Sequence, residues 1–377
     1  MKKARVIAVY LPQFHPIPEN DEWWGKGFTE WTNVAKAKPL FAGHYQPHIP
    51  ADLGFYDLRL PIIREQQAAM AKECGIEGFC YWHYWFGNGK RLLELPFNEV
   101  LKSGKPDFPF CLAWANHSWS SATWTKQKAL KKDSMLLEQK YLGVEDYTQH
   151  FMALLPAFRD HRYIHVDGKP LFAVFRPFDI PDARLFIDTW QKLALANGLP
   201  GIHFVGMVSN CKNKTNIIPE LNNAAECYKS VLDLGFDAVN SDGLLRATIM
   251  ADKKYIVQQA LSRIFKIKFL AKYDQALINK NILVKEDSWE NVYPMIFSNM
   301  DRTPRAGKKA AIYTNSTPQV FGKLLRETID LIKDKEEEHR LIFVRSWNEW
   351  GEGNHIEPDL KYGHGFLDEI RKNLLND

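Results

Sequence analysis

Apolar residues along this chain gather into short unbroken runs instead of alternating with polar ones, and the runs recur from one end of the sequence to the other. They cover Arg5–Leu11, Ile76–Tyr84, Phe108–Ala115, Pro170–Phe175, Ile202–Val208, Phe236–Val239, Val292–Phe297 and Leu341–Val344. A continuous run of this length, bounded by turn residues, is the pattern of a strand buried on both faces. Between most of them the apolar residues take helical spacing, over Leu58–Cys74, Val144–Phe158, Asp182–Asn197, Pro318–Lys333 and Gly365–Leu375. Gly75 marks a helix stop, and Pro181 a helix start, where its missing N–H does no harm. Buried strands alternating with helices predict an α/β protein with a parallel sheet covered on both faces. Eight repeats in 377 residues predict a single (β/α)8 TIM-type barrel over 1–377 rather than an open doubly wound sheet.

Polar and aromatic residues follow nearly every run: Gln13 to His15, His83 to Trp85, Asn116 to Trp119, Arg176, Ser209 and Asn210, Asn240 to Asp242, Ser298 to Asp301, and Asn348 to Trp350. A barrel's catalytic face has this composition, whereas an open sheet concentrates such residues at one switch point. Two segments exceed a minimal barrel. Pro16–Pro50 is a long first loop carrying Trp23, Trp24, Phe28, Trp31, His44 and His48. Residues 244–287 are expected to form a basic helical insertion after the sixth strand. There Lys253, Lys254, Arg263, Lys266, Lys268 and Lys272 accompany Ile264, Phe265, Ile267, Phe269 and Leu270. It reads either as a helical excursion over the barrel or, through 253–272, as a surface for anionic membrane or a lipid-linked glycan.

Composition narrows the function. With 45% hydrophobic and 25% charged residues the chain has material for a large core, and a net charge of +4 is too mild to argue for nucleic acid. No GxGxxG or Walker-type loop follows a strand, so a nucleotide-phosphate cradle of the usual kind is not expected, and no cofactor is. Cys74, Cys80, Cys111, Cys211 and Cys227 form no CxxC pair and are odd in number. They predict free thiols, no disulfide framework and a reducing compartment. The apolar stretch Val6–Leu11 is shorter than a signal peptide's core and no run reaches transmembrane length, which points to the cytoplasm. His15, His44, His48, His83, His117 and His355 are scattered without ligand spacing, so no metal is expected.

The chemistry concentrates after the eighth run, where Ser346, Trp347, Asn348, Glu349, Trp350, Glu352, His355 and Glu357 crowd together around Gly351 and Gly353. Carboxyls among indoles are costly to bury without a task. They suit acid/base chemistry on a sugar, because aromatic faces hold pyranose rings and apolar walls raise a carboxyl pKa. On a straight strand Glu349 and Glu352 would face opposite sides; Gly351 lets the chain leave the strand between them. Trp347 and Trp350 are candidate apolar walls, Asn348 a hydroxyl ligand, Glu357 a supporting residue, and Trp31 and Trp85 sugar-binding aromatics. His15, His83 and Asn116 are candidates for substrate contact or for structural roles. Asp301 and Arg305 would bind hydroxyls or form a rim ion pair. Tyr10 would meet a carboxylate or sugar, or pack in the barrel. Arg176 would meet the glutamates, an acidic sugar or a structural partner, and Glu30 is a loop carboxylate with either a solvated or a functional role.

Six segments carry a resemblance. Tyr10-Leu-Pro-Gln-Phe-His15, Trp23-Trp-Gly-Lys-Gly-Phe-Thr-Glu-Trp31, Gly78-Phe-Cys-Tyr-Trp-His-Tyr-Trp85, Phe110-Cys-Leu-Ala-Trp-Ala-Asn116, Tyr163-Ile-His-Val-Asp-Gly-Lys-Pro170 and Ser346-Trp-Asn-Glu-Trp-Gly-Glu-Gly353 resemble the WbsX-like family. That family comprises glycosyltransferases of lipopolysaccharide and O-antigen synthesis and is related to the glycoside hydrolase family 99 endo-α-mannosidases, which share a (β/α)8 fold. The similarity runs over essentially the whole chain. It implies a retaining enzyme on a mannoside-like bond, with an oligosaccharide or polysaccharide substrate. Glu349 would act as base on the sugar's 2-hydroxyl, giving a 1,2-anhydro intermediate, and Glu352 would protonate the leaving oxygen and then activate water or an acceptor hydroxyl. Transfer in surface-polysaccharide synthesis, endo-acting hydrolysis and non-catalytic glycan binding all remain open. Two departures fall where substrate should sit. Ala115-Asn-His-Ser-Trp119 replaces Ala-Asn-Glu-Asn-Trp, and Met300-Asp-Arg-Thr replaces Trp-Asp-Asn-Thr.

Overall fold

The computed structural model describes residues 3–120, 135–208, 223–251 and 270–375, with Val257, Leu261 and Ile264 as single positions. Eight parallel strands close into a barrel: β1 (Arg5–Tyr10), β2 (Gly78–Trp85), β3 (Phe110–Trp114), β4 (Lys169–Val174), β5 (His203–Val208), β6 (Ala238–Ser241), β7 (Val292–Phe297) and β8 (Leu341–Arg345). Each pairs with its neighbour in sequence, and β1 closes the ring by pairing with both β2 (Ile7 opposite Gly78) and β8 (Ala8 opposite Val344). The expected strands are thus all present, with ends moved by no more than a few residues. β2, β3, β5 and β7 are buried at every position, as strands between a filled interior and a helical layer must be.

The helices Pro61–Glu73, Val144–Phe158, Ala183–Ala196 and Pro318–Ile332 form part of the outer layer. Trp190 shows how they adhere. Fully buried, it lies 4.7 Å from Phe172 of β4 and 4.9 Å from Phe186 of its own helix, while its indole N–H donates to the Tyr147 carbonyl. Burying side chains of this size contributes about 1.5–3 kcal/mol each.

The long first loop is present as expected between β1 and β2, and two other expectations need correction. The first loop holds two short helices, Pro18–Trp24 and Glu30–Lys36, and its Trp24, Phe28, Trp31, Glu30, His44 and His48 are buried. The 244–287 insertion is not helical throughout. Leu244–Ala251 and Gln275–Asn279 are helices, but Ala271–Asp274 is a strand paired in parallel with Ala311–Thr314, an interaction far away in sequence that local spacing cannot reveal. Most of 253–270 lies outside the described residues; Lys272 sits over the Phe41 ring at 4.5 Å. Cys74, Cys80 and Cys111 are free and buried, whereas Cys227 is disulfide-bonded, contrary to the expected free thiols. That bond removes the cysteine argument for a reducing compartment. Among the described residues no helix is long and apolar enough to cross a membrane.

Candidate active site

β8 ends at Arg345, and the chain then folds into a small hairpin in which Asn348–Glu349 pairs antiparallel with Asn354–His355 around a 3-10 turn, Trp350–Glu352. Polar side chains pin it to the barrel end. Asn348 accepts from the Leu11 amide (2.7 Å) and donates to the Leu11 carbonyl (3.1 Å), and the Trp347 amide donates to the Val9 carbonyl (2.7 Å). Ser346 Oγ accepts from the Glu349 amide and donates to the Asn354 carbonyl. Gly353 closes the turn at φ +69°, packed against Asp301, where a side chain would be strained. Glu349 therefore leaves from the hairpin strand and Glu352 from its turn, and both reach one cavity of about 420 Å³. Trp24, Trp82, Tyr84, Trp119 and Phe175 give that cavity aromatic walls, and Arg176, Arg302, Arg305 and Arg345 give it cationic ones.

The two carboxyls are buried in opposite surroundings. Glu349 accepts a hydrogen bond from the Trp82 indole (2.8 Å) and lies 3.7 Å from Arg345. Burial raises its pKa, Arg345 opposes the rise and the neighbouring Glu352 adds to it. Burial also pushes Glu352 up, but Arg302 (3.2 Å), Arg305 (2.6 Å), Arg345 (3.2 Å) and a hydrogen bond with Glu349 together hold it well below the usual carboxylate range. Arg305 in turn forks onto both oxygens of fully buried Glu30, at 2.9 Å each. Glu30 is accordingly a structural counter-ion and not a solvated loop carboxylate. Gly351 owes its identity to this pair, since a Cβ there would overlap Glu30 Oε1 and meet Arg305 Nε at 3.0 Å.

A second cavity, of about 360 Å³, lies behind the turn. His44 and Gln46 both donate to Asp301 Oδ2 at 2.7 Å, and the Asp301 amide donates to the Glu352 carbonyl (2.7 Å), so the first loop steadies the turn from behind. Among the described residues, His48, His355 and Asp359 form the buried group whose donor atoms lie within 4.8 Å of one another and could hold a cation. They already satisfy one another, with His48 Nδ1 2.9 Å from His355 Nε2, while His355 Nδ1 bonds the Glu357 carbonyl and Asp359 accepts two backbone amides. Burial lowers both imidazoles to about 3, with His355 adding to the effect on His48.

Comparison with known proteins resolves the family. The model of the family described as Glycosyltransferase WbsX matches residues 6–370. The chain belongs to the WbsX family. It is also 34% identical to the uncharacterized protein WxcX of Xanthomonas campestris pv. campestris, over 98% of this chain and 50% of that protein. The chain thus spans about half the length of the curated relatives it matches. In fold it resembles a glycoside hydrolase-like protein (TM-score 0.58, 13% identity, 98% and 94% of the two chains). It is similarly like the GH99 endo-alpha-mannosidase of Bacteroides thetaiotaomicron (TM-score 0.51, 16% identity, 98% of each chain). The (β/α)8 barrel of this WbsX chain is therefore shared with a glycosidase fold.

Of the residues expected to bind substrate or meet the glutamates, Arg176 and Arg305 line the larger cavity with Glu349 and Glu352, and the others do not. His83 and Trp85 point outward to the helix Val144–Phe158, where His83 bonds His150 (2.8 Å) and Trp85 donates to Asp146 (3.2 Å). Asn116 is fully used by Tyr141 and the Arg176 backbone, and Tyr10 donates to Gln67 (2.7 Å). His15 bonds the Pro12 carbonyl, and Trp31 donates to the Tyr56 carbonyl beneath Trp350. Trp347 packs on Phe79, Trp350 stacks on His355 at 3.6 Å, and Asp301 lines the second cavity. Glu357 accepts from Trp350, Gln67 and Tyr56. These WbsX residues make the scaffold under the glutamates. Sequence reasoning missed Trp82, Tyr84 and the arginines at 302 and 345; the signal for the first two was strand parity, since they alternate with His83 and Trp85.

Proposed function

We propose that this chain is a retaining carbohydrate-active enzyme acting on a mannoside-like bond through Glu349 and Glu352, working as a glycosyltransferase or transglycosylase in surface-polysaccharide or O-antigen metabolism. The observation that carries the reading is the pair itself, two buried carboxyls on one aromatic-walled cavity; the acid role expected for Glu352 is not supported, since its guanidinium neighbours hold it ionised and it is Glu349 that burial raises. Glu349, a stronger base than a free carboxylate once ionised, takes the proton of the sugar's 2-hydroxyl. The freed oxygen attacks the anomeric carbon as the leaving group departs on the Glu352 side. An acceptor hydroxyl then opens the resulting 1,2-anhydro ring, and two inversions give retention. The Trp82 indole orients Glu349 for the first step.

Replacing Glu349 by Gln is expected to lower turnover by about 10²–10⁴, the usual weight of a general base, followed by NMR of the product anomer. Wild-type turnover in that variant would sink the assignment. Endo-acting hydrolysis is the second reading. The likeness in fold to an endo-alpha-mannosidase supports it, as does a cavity wide enough for water to replace the acceptor. Product formation that ignores added acceptor glycans would decide for hydrolysis. Glycan binding without turnover under any condition would decide for a non-catalytic barrel.

A further inference from the structure

Building on the proposed cleavage at the anomeric carbon, we infer that the leaving group is anionic, a phosphate-linked one, and that Arg302 and Arg345 form its cradle beside Glu352. A glycoside with a sugar leaving group needs a proton delivered to the departing oxygen. The position that should deliver it, Glu352, stands within 3.2 Å of three guanidinium groups. Protonating it would leave those cations facing a neutral acid, which is why its pKa lies low. The same cations are what a leaving phosphate requires, since its charge must be stabilised and no proton is needed.

Unspent donors point the same way. The Nε atoms of Arg302 and Arg345 are buried and without a hydrogen-bond partner. Arg302 Nε approaches Glu352 as a charge contact at 3.2 Å without the alignment of a hydrogen bond. Arg345 donates from Nη2 to Glu352 (3.2 Å) but stands 3.7 Å from Glu349 and 3.8 Å from Asp242, too far to be spent on either, and its Nε stays unpartnered. Buried guanidinium donors are normally satisfied, and a group with several oxygens fits their fork geometry. Arg176 brings a further guanidinium to the same wall.

The step balances without an outside acid. The C1–O bond to phosphate breaks with its electron pair going to phosphate, the sugar O2 forms a bond to C1, and the O2 proton goes to Glu349. Attack by the acceptor oxygen on C1 breaks the C1–O2 bond. O2 recovers its proton from Glu349, and the acceptor's proton passes to water.

The test is titration calorimetry with inorganic pyrophosphate, D-glucuronate and methyl α-mannoside on wild type, Arg302→Gln and Arg345→Gln, each checked for folding by thermal melting. Pyrophosphate should bind wild type in preference to the other two, and each substitution should weaken it about tenfold or more. Unchanged pyrophosphate affinity in both variants, or no binding at millimolar concentration, overturns the cradle. Glucuronate held as tightly through the same arginines also overturns it, assigning the site to an acidic sugar. Arginine-dependent pyrophosphate binding with no turnover of any sugar counts against the enzymatic reading alone. Turnover of neutral glycosides without pyrophosphate binding counts against the cradle alone.

Discussion

Glu357, the third carboxyl of the hairpin region, is surrounded by uncharged donors: the Trp350 indole (2.7 Å), Gln67 (2.6 Å) and Tyr56 (2.9 Å). Burial pushes its pKa from 4.5 up to about 7, against the lowering effect of those hydrogen bonds. A carboxyl whose pKa is raised on folding binds more protons folded than unfolded, so its contribution to stability falls as pH rises through 4.5 to 7. The loss is on the order of 3 kcal/mol. Urea unfolding of wild type and Glu357→Gln at pH 5 and pH 8 should show the variant gaining ground on wild type at the higher pH. Parallel pH profiles would refute it. Glu357 was legible as a supporting residue, because a carboxyl so close to the pair invited that reading. Arg305 was legible as a hydroxyl ligand or rim ion pair, but the cluster was not, since Arg302 and Arg305 follow β7 while Arg345 ends β8, and only ring closure gathers them on one carboxylate.

At the scale of elements, β2 teaches where pattern runs out. All eight of its residues are buried, so no polar alternation reveals which face looks inward. Choosing His83 and Trp85 as substrate contacts selected the face turned to the helix Val144–Phe158; Trp82 and Tyr84, one residue out of phase, line the cavity. Strand existence, order and type could be read from the unbroken runs, but side-chain phase needed coordinates. Trp82→Phe, which removes the hydrogen bond to Glu349, should lower turnover at least several-fold with little change in melting temperature. Trp85→Phe should do the reverse, because its indole is spent on Asp146. Activity assays paired with melting curves separate the two, and equal effects of both on turnover would contradict the parity argument.

For the whole molecule, the site lies on the seam where β1 meets β8. Asn348 reaches across it to both backbone groups of Leu11, and Tyr56 OH accepts a third bond from it. Asn348→Ala would strand both buried backbone groups of Leu11. The expected loss is about 2–4 kcal/mol of unfolding free energy, read from urea denaturation, and a loss under 0.5 kcal/mol would show the clamp to be unimportant. The seam also sets a timetable. During synthesis β1 leaves the ribosome first and has to wait for β8, some 330 residues later, before its second edge is covered. Until that moment no glutamate pair, arginine wall or cavity exists. On the proposed function, a chain broken off before β8 is therefore inert, and turnover appears only once β1 and β8 have paired.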